Sequence, residues 1–220
     1  MKVEVHGLRH TYGTGSTGRS ALDVSALSVE STSRLCLVGG SGSGKSTLLN
    51  VIAGLLVPRS GSVRLDGVDL FALGEAARDR LRSRSIGCVF QTFNLLQGLS
   101  ALENLTLAQR FAGIPQALAK ARARELLEQL GLRERGHARP AELSVGEQQR
   151  VAIARAVSKS PGLVLADEPT ASLDDDSAGA AIDLLLAACE KSTLIVVTHD
   201  PRLASRFTTV EQLSELRSPS

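Results

Sequence analysis

The spacing of apolar side chains changes period several times along the chain, and each change marks an element. Residues 2 to 9 alternate well enough to predict a strand, and Tyr12 to Gly18 has the composition of a flexible loop. A short second strand leads into Leu35-Cys36-Leu37-Val38, an apolar run that stops at a glycine-rich stretch. A helix is expected over Ser46 to Leu56, ahead of Pro58. Ser60-Gly61-Ser62 and Asp66-Gly67 punctuate a hairpin-like segment, and Ile86 to Phe90 reads as a buried strand.

From about Leu102 to Ser158 the period turns helical, with Pro115 placed to open one helix and Gly131 to close it. Leu163-Val164-Leu165-Ala166 and Leu194-Ile195-Val196-Val197 are short apolar runs suited to strands buried on both faces. Between them Ile182, Leu185, Leu186 and Cys189 fall on one face of a crossover helix. Together these elements predict an α/β protein with a mixed β-sheet and an inserted helical subdomain. No internal repeat is present, and the stretch after Phe207 gives only a weak pattern.

A chain of 220 residues supports one sizeable core or a core with one small insertion. Its 25 basic and 23 acidic residues nearly cancel, so no overall field favours nucleic acid as a partner. Arg78, Arg80, Arg82 and Arg84 read as a solvated charged face. Cys36, Cys88 and Cys189 are widely separated and lack metal spacing, which favours buried reduced thiols in a cytosolic setting. The start has no signal-peptide run, and no segment reaches the length of a membrane span. The longest apolar candidate, Ala180 to Cys189, is broken by Asp183. Any work at a membrane therefore needs another chain to supply the span.

Gly39-Gly40-Ser41-Gly42-Ser43-Gly44-Lys45-Ser46 fits the pattern G-x-x-x-x-G-K-[ST] and sits between a predicted strand and a predicted helix. Such glycines let successive backbone N–H groups turn inward around phosphate oxygens. Lys45 is expected to neutralise the β- and γ-phosphates of a nucleotide, Ser46 to ligate Mg²⁺, and Thr47 to add a hydrogen bond. Asp167 and Glu168 end an apolar strand, where α/β sheets bind ligands. Asp167 suits the Mg²⁺ shell, and Glu168 suits polarising the water that attacks a γ-phosphate.

Leu143-Ser144-Val145-Gly146-Glu147-Gln148-Gln149-Arg150 resembles the signature sequence of ATP-binding-cassette (ABC) ATPases. Ser144 with Glu147 is also a helix capping box, and both readings can hold. Further matches fall in the family's order from about residue 3 to residue 205. Tyr12 resembles the aromatic that stacks on adenine, although a plain strand-end residue fits too. Gln91 resembles the glutamine that senses Mg²⁺ and the attacking water. Asp174, in Ala171-Ser172-Leu173-Asp174, resembles the loop that crosses between two copies, with an ordinary helix N-cap as the other reading. His199 resembles the switch histidine that bonds the γ-phosphate, and an imidazole bonded to a strand end is its alternative.

The resemblance implies an ABC ATPase fold formed as one domain over residues 1–220. Its catalytic core would be 1–91 and 159–220, and its helical subdomain 92–158. It implies ATP and Mg²⁺ as ligands, a head-to-tail pair of copies, and Ser144, Gly146 and Glu147 gripping the ATP of the other copy. It also implies an integral-membrane permease partner, and a cytoplasmic place at the inner face of the membrane through that partner. Phe90-Gln91-Thr92-Phe93-Asn94-Leu95-Leu96 and Ala101-Leu102-Glu103-Asn104 are similar to the branch serving lipoprotein release, macrolide-type export and cell-division complexes. A non-transport ABC ATPase and an ATP-gated regulatory scaffold are the rival functions.

Three departures stand out. Val145 occupies a position where the family has glycine, which predicts slower hydrolysis. Glu147 replaces the usual glutamine. Thr208 to Ser220 lacks the Asp-Gly turn of the family's final strand pair, so the end of the fold stays open.

Overall fold

The computed structural model describes residues 1–13 and 19–217. Its β-structure is divided between two sheets of different kind. In the first, β1 (Val3–Tyr12), β2 (Arg19–Val29), β4 (Ser60–Leu65) and β5 (Val68–Asp69) pair antiparallel in the order β2-β1-β4-β5. In the second, β3 (Arg34–Val38), β6 (Ile86–Val89), β7 (Leu163–Asp167), β8 (Thr193–Thr198) and β9 (Val210–Gln212) run parallel in the order β6-β7-β8-β3-β9.

The helices are α1 (Lys45–Ile52), α2 (Glu75–Ser85), α3 (Ala101–Phe111), α4 (Gln116–Gln129), α5 (Val145–Val157), α6 (Asp175–Ala188) and α7 (Pro201–Ala204). The parallel strands β3, β6, β7 and β8 are mainly apolar because both of their faces are covered. Leu35, Leu37, Leu163, Leu165, Ile195 and Val197 point to the side where α1 and the antiparallel sheet lie. Their neighbours Cys36, Val164, Ala166, Leu194 and Val196 point to the side of α5 and α6. A third cluster, including Leu95, Leu105, Leu127 and Leu132, holds α3 and α4 to α5. Helix α5 serves two cores: Ile153 and Ala156 face the sheet, and Val151, Ala152 and Ala154 face the helical cluster.

Several boundaries differ from the sequence reading. Strand β1 continues to Tyr12, which pairs with Arg19, so Tyr12 is a strand-end residue; the loop expected beyond it falls largely on 14–18, outside the described residues. Helix α1 starts at Lys45 and ends at Ile52, four residues short of Leu56, because Gly54 turns left-handed at φ 68°. The last apolar strand before Gln91 ends at Val89.

The arginine run forms helix α2. Alternation with period 2 hid it, and no residue of α2 is fully buried to give an apolar stripe. Its charges suit a helix, with Glu75 in the first turn and Arg82 and Arg84 in the last. Nor is that face simply solvated: Arg78 lies over the Phe71 ring, 5.7 Å from its centre, and Arg82 donates to Gly54 O at 3.2 Å. Pro115 caps α4 and Gly131, at φ 66°, follows its end, as the sequence predicts.

After His199 the described residues do not form a strand pair. The short β9 runs parallel beside β3, Leu213 N–H donates to Val38 O at 3.0 Å, and Leu213 and Leu216 pack into the core between the sheets.

Candidate nucleotide-binding site

Four loops leave the carboxyl edge of the parallel sheet, and strand register sets them level. Val38 lies beside Thr198, Val197 beside Asp167, and Ala166 beside Val89. The phosphate loop, Thr198-His199, Asp167-Glu168 and the Gln91 loop therefore start along one line, at the edge where open α/β sheets bind ligands.

The phosphate loop depends on glycine where the chain turns into α1. Gly44 has φ 103°, and a Cβ there would collide with the carbonyl oxygen of Ala21 on β2. Gly42 and Gly44 both hold left-handed backbone, at φ 74° and 103°, so the loop's N–H groups can curl toward a common point. Lys45 is buried, with Nζ donating to Gly39 O at 2.6 Å and Gly40 O at 3.1 Å, and lies 3.5 Å from Glu168 Oε1.

Tyr12, Ala21, Gly42, Ser43, Gly44, Lys45, Ser46 and Thr47 line a cleft of about 250 Å³. Tyr12 stands at its rim, half exposed, with its hydroxyl 3.5 Å from Thr47 Oγ1 and its ring edge-on to His10 at 4.9 Å. Larger hollows of about 520 and 560 Å³ lie among α4, α5 and α6 and between α2 and α3. They lack phosphate-binding backbone, so chemistry and not size selects the smaller cleft.

Asp167 Oδ1 is buried with no hydrogen-bond partner. Burial pushes the carboxyl up, a hydrogen bond from Ser46 pulls it down, and the neighbouring Glu168 charge pushes it up further; the net direction is up. An orphaned carboxylate oxygen beside a helix-start hydroxyl is the oxygen donor set a hard divalent cation takes. Among the described residues no group of three or more His, Cys, Asp or Glu could hold a metal. Mg²⁺ needs none, since it is held through one or two protein oxygens together with substrate phosphates. Gln91 is exposed just past β6 and makes no hydrogen bond to Ser46 or Asp167.

Glu168 is buried at φ 44°, a conformation uncommon outside glycine. Its Oε2 accepts from Thr198 Oγ1 at 2.9 Å and from His199 N–H at 3.1 Å, while His199 Nδ1 lies 2.7 Å from Oε1. Burial alone would raise this carboxyl; the bonds from His199 and Thr198 outweigh it and hold the group below the usual carboxylate range. Thr198 is a functional residue that sequence reasoning missed. Its place before His199 at a strand end was the available signal.

Ser144 caps α5 through a reciprocal box: its Oγ accepts from Glu147 N–H at 3.2 Å, and Glu147 Oε2 accepts from Ser144 N–H at 2.7 Å. Glu147 is thereby engaged within its own cap and with Arg135 at 3.3 Å. Asp174 caps α6 by accepting from Ser177 N–H at 2.9 Å. The two caps are neighbours, since a Cβ on Gly146 would stand 3.2 Å from Ser177 Oγ. Neither cap lines the Lys45 cleft or bonds to Lys45, Glu168 or His199. By contact the site residues form two groups on one chain, a phosphate-loop group and a capped-helix group.

A phosphate loop at the edge of a parallel sheet, with an acidic pair and a histidine on the adjoining strand ends, defines a nucleoside-triphosphate hydrolase. The model of the ABC transporter family matches residues 22–171. The chain belongs to that family, and it is an ATP-binding, ATP-hydrolysing subunit of the transporter type.

The lipoprotein-releasing system ATP-binding protein LolD of Chromohalobacter salexigens is 45% identical over 219 residues, covering 99% of this chain and 92% of that protein. LolD of Xanthomonas euvesicatoria is 41% identical over 215 residues, covering 97% and 88%. An uncharacterised ABC transporter ATP-binding protein of Mycobacterium tuberculosis is 43% identical over 213 residues, covering 96% and 86%. Among solved structures, the ATP-binding cassette MJ0796 in a dimeric post-hydrolysis state with ADP and phosphate superposes with a TM-score of 0.87 at 35% identity, covering 96% and 93%.

Proposed function

We propose that two copies of this chain close head-to-tail on two ATP molecules and transmit that closure to an integral-membrane permease. The observation that carries the reading is the separation of the two residue groups: Lys45, Ser46, Asp167, Glu168 and His199 share one sheet edge, while Ser144, Gly146 and Asp174 cluster apart from it. Each group completes the other only across a pair, and the MJ0796 cassette is known as a dimer. Residues 1–91 and 159–220 act as the catalytic lobe and residues 92–158 as the helical lobe.

In the closed pair, the phosphate-loop N–H groups and Lys45 bind the β- and γ-phosphates, and Tyr12 stacks on adenine. Ser46 and Asp167 would hold Mg²⁺, and Gln91 would join them on closure. Bound Mg²⁺ neutralises charge on the phosphate oxygens. Glu168, kept ionised by Thr198 and His199, orients a water for in-line attack. A new P–O bond forms at the γ-phosphorus as the bond to the β–γ bridging oxygen breaks, giving ADP and phosphate. The capped start of α5 in the other copy, through Ser144 and Gly146, contributes N–H groups and a positive helix end to the γ-phosphate.

The permease partner follows from the LolD relatives, and their systems suggest that the moved substrate is a lipid-anchored protein. Because no helix among the described residues can cross a membrane, the span belongs to the partner. The chain then works at the cytoplasmic face. Tagged Glu168→Gln, expected to bind ATP without hydrolysing it, should retain a multi-span permease from detergent-solubilised host membranes when ATP is present. Recovery of soluble partners alone, with ATP bound, would reject the transporter role while leaving the ATPase intact.

A further inference from the structure

Helix α5 carries a glutamine whose burial the hydrolysis scheme does not use. Gln149 is fully buried, and its Nε2 donates to the carbonyl oxygen of Pro169 at 2.6 Å. Pro169 directly follows Glu168, and no backbone N–H among the described residues is paired with that carbonyl. The other amide atom, Oε1, is buried without a partner. An orphaned buried acceptor costs about 1–3 kcal/mol, which offsets most of what the bond to Pro169 contributes to stability. What the amide provides is position.

The position concerned is that of Glu168. A non-glycine residue at φ 44° is retained only where its surroundings over-determine it. On one side Glu168 N–H donates to Val197 O at 2.9 Å, and its carboxylate is held by Thr198 and His199. On the other side the turn is held by Ala171 N–H donating to Glu168 O at 3.2 Å and by Gln149 on Pro169. Among the described residues, Gln149 supplies the hydrogen bond that joins this turn to the helix whose capped start carries Ser144 and Gly146.

We infer that Gln149 is a positioning residue that couples the capped start of α5 to Glu168 in the same chain. Seating one copy's α5 on its partner's nucleotide thereby sets the carboxylate that acts on its own. The inference rests on the head-to-tail reading above. It assigns to the pair a physical route by which occupancy of one site tunes the rate at the other.

The test compares wild type, Gln149→Met and Val151→Ala. Methionine keeps the length and volume of the side chain and removes the donor; Val151 is buried in the same helix but faces the helical cluster. ATP affinity, kcat, the Hill coefficient for ATP and Tm are measured for each. Gln149→Met strips the buried Pro169 O of its donor, so Tm is expected to fall modestly, while ATP affinity is kept, kcat falls about tenfold and the Hill coefficient drops toward unity. A kcat and Hill coefficient within twofold of wild type overturn the inference, as does a loss no greater than that of Val151→Ala at equal Tm.

The pairing itself is read separately, by light scattering of Glu168→Gln with ATP. Failure of that variant to pair removes the head-to-tail reading and this coupling together. Pairing by both Glu168→Gln and the Gln149→Met, Glu168→Gln double variant, with kcat unchanged in Gln149→Met, removes the coupling alone.

Discussion

Single residues set the rate at this site through what surrounds them. Val145 is 46% exposed at the first helical position of α5, beside the Ser144 cap. Its branched side chain stands where the capped helix start would approach phosphate. Val145→Gly is expected to raise kcat about threefold while costing ~0.5–1 kcal/mol of stability, measured by phosphate release and urea melts; an unchanged or lower kcat removes the steric argument. Glu168 gives a pH prediction of definite sign. Hydrogen bonds from His199 and Thr198 hold its carboxyl below the usual range, so the base stays ionised as pH falls. His199→Ala removes one donor, so the acid limb of the kcat profile should move to higher pH, beyond the fall in maximal rate. A limb that stays in place would assign it to another group.

At the level of elements, β9 is the unexpected support. Leu213 is 2% exposed, packs into the core between the sheets, and bonds Val38 at the root of the phosphate loop. Leu213→Ala is expected to cost about 2–4 kcal/mol in urea unfolding and to weaken ATP binding in the same variant. Weaker folding with unaltered ATP affinity would make β9 a core element only. This element was not legible in the sequence, because Val210–Gln212 is too short to show a period and its partner strand is far away in sequence. Helix α2 escaped because Leu81, half-buried against the core, and a few arginine stems anchor it, too little to show an apolar stripe. The strands at the site were legible because burial on both faces wrote them as unbroken apolar runs. The phosphate loop and acidic pair were legible because each motif states its own chemistry. Thr198 and Gln149 were not, since their roles arise only from contacts made across the fold.

For the whole molecule, the proposed head-to-tail pairing would make activity a property of the pair. On that reading, adding copies that carry both Lys45→Ala and Ser144→Arg to a fixed amount of wild type should lower phosphate release per wild-type chain toward zero as mixed pairs come to dominate, since neither site of a mixed pair is complete. Independence from the added copies would mean that each chain hydrolyses ATP alone. The strand order carries a further consequence for synthesis. Strand β3 roots the phosphate loop, yet both of its neighbours, β8 and β9, come near the far end of the described chain. During translation the loop emerges early and waits, unsupported, while the helices and β7 are made. ATP is therefore not expected to act as a folding ligand for the unfinished chain, and ribosome-held fragments should gain nucleotide affinity only once Leu213 has cleared the exit tunnel.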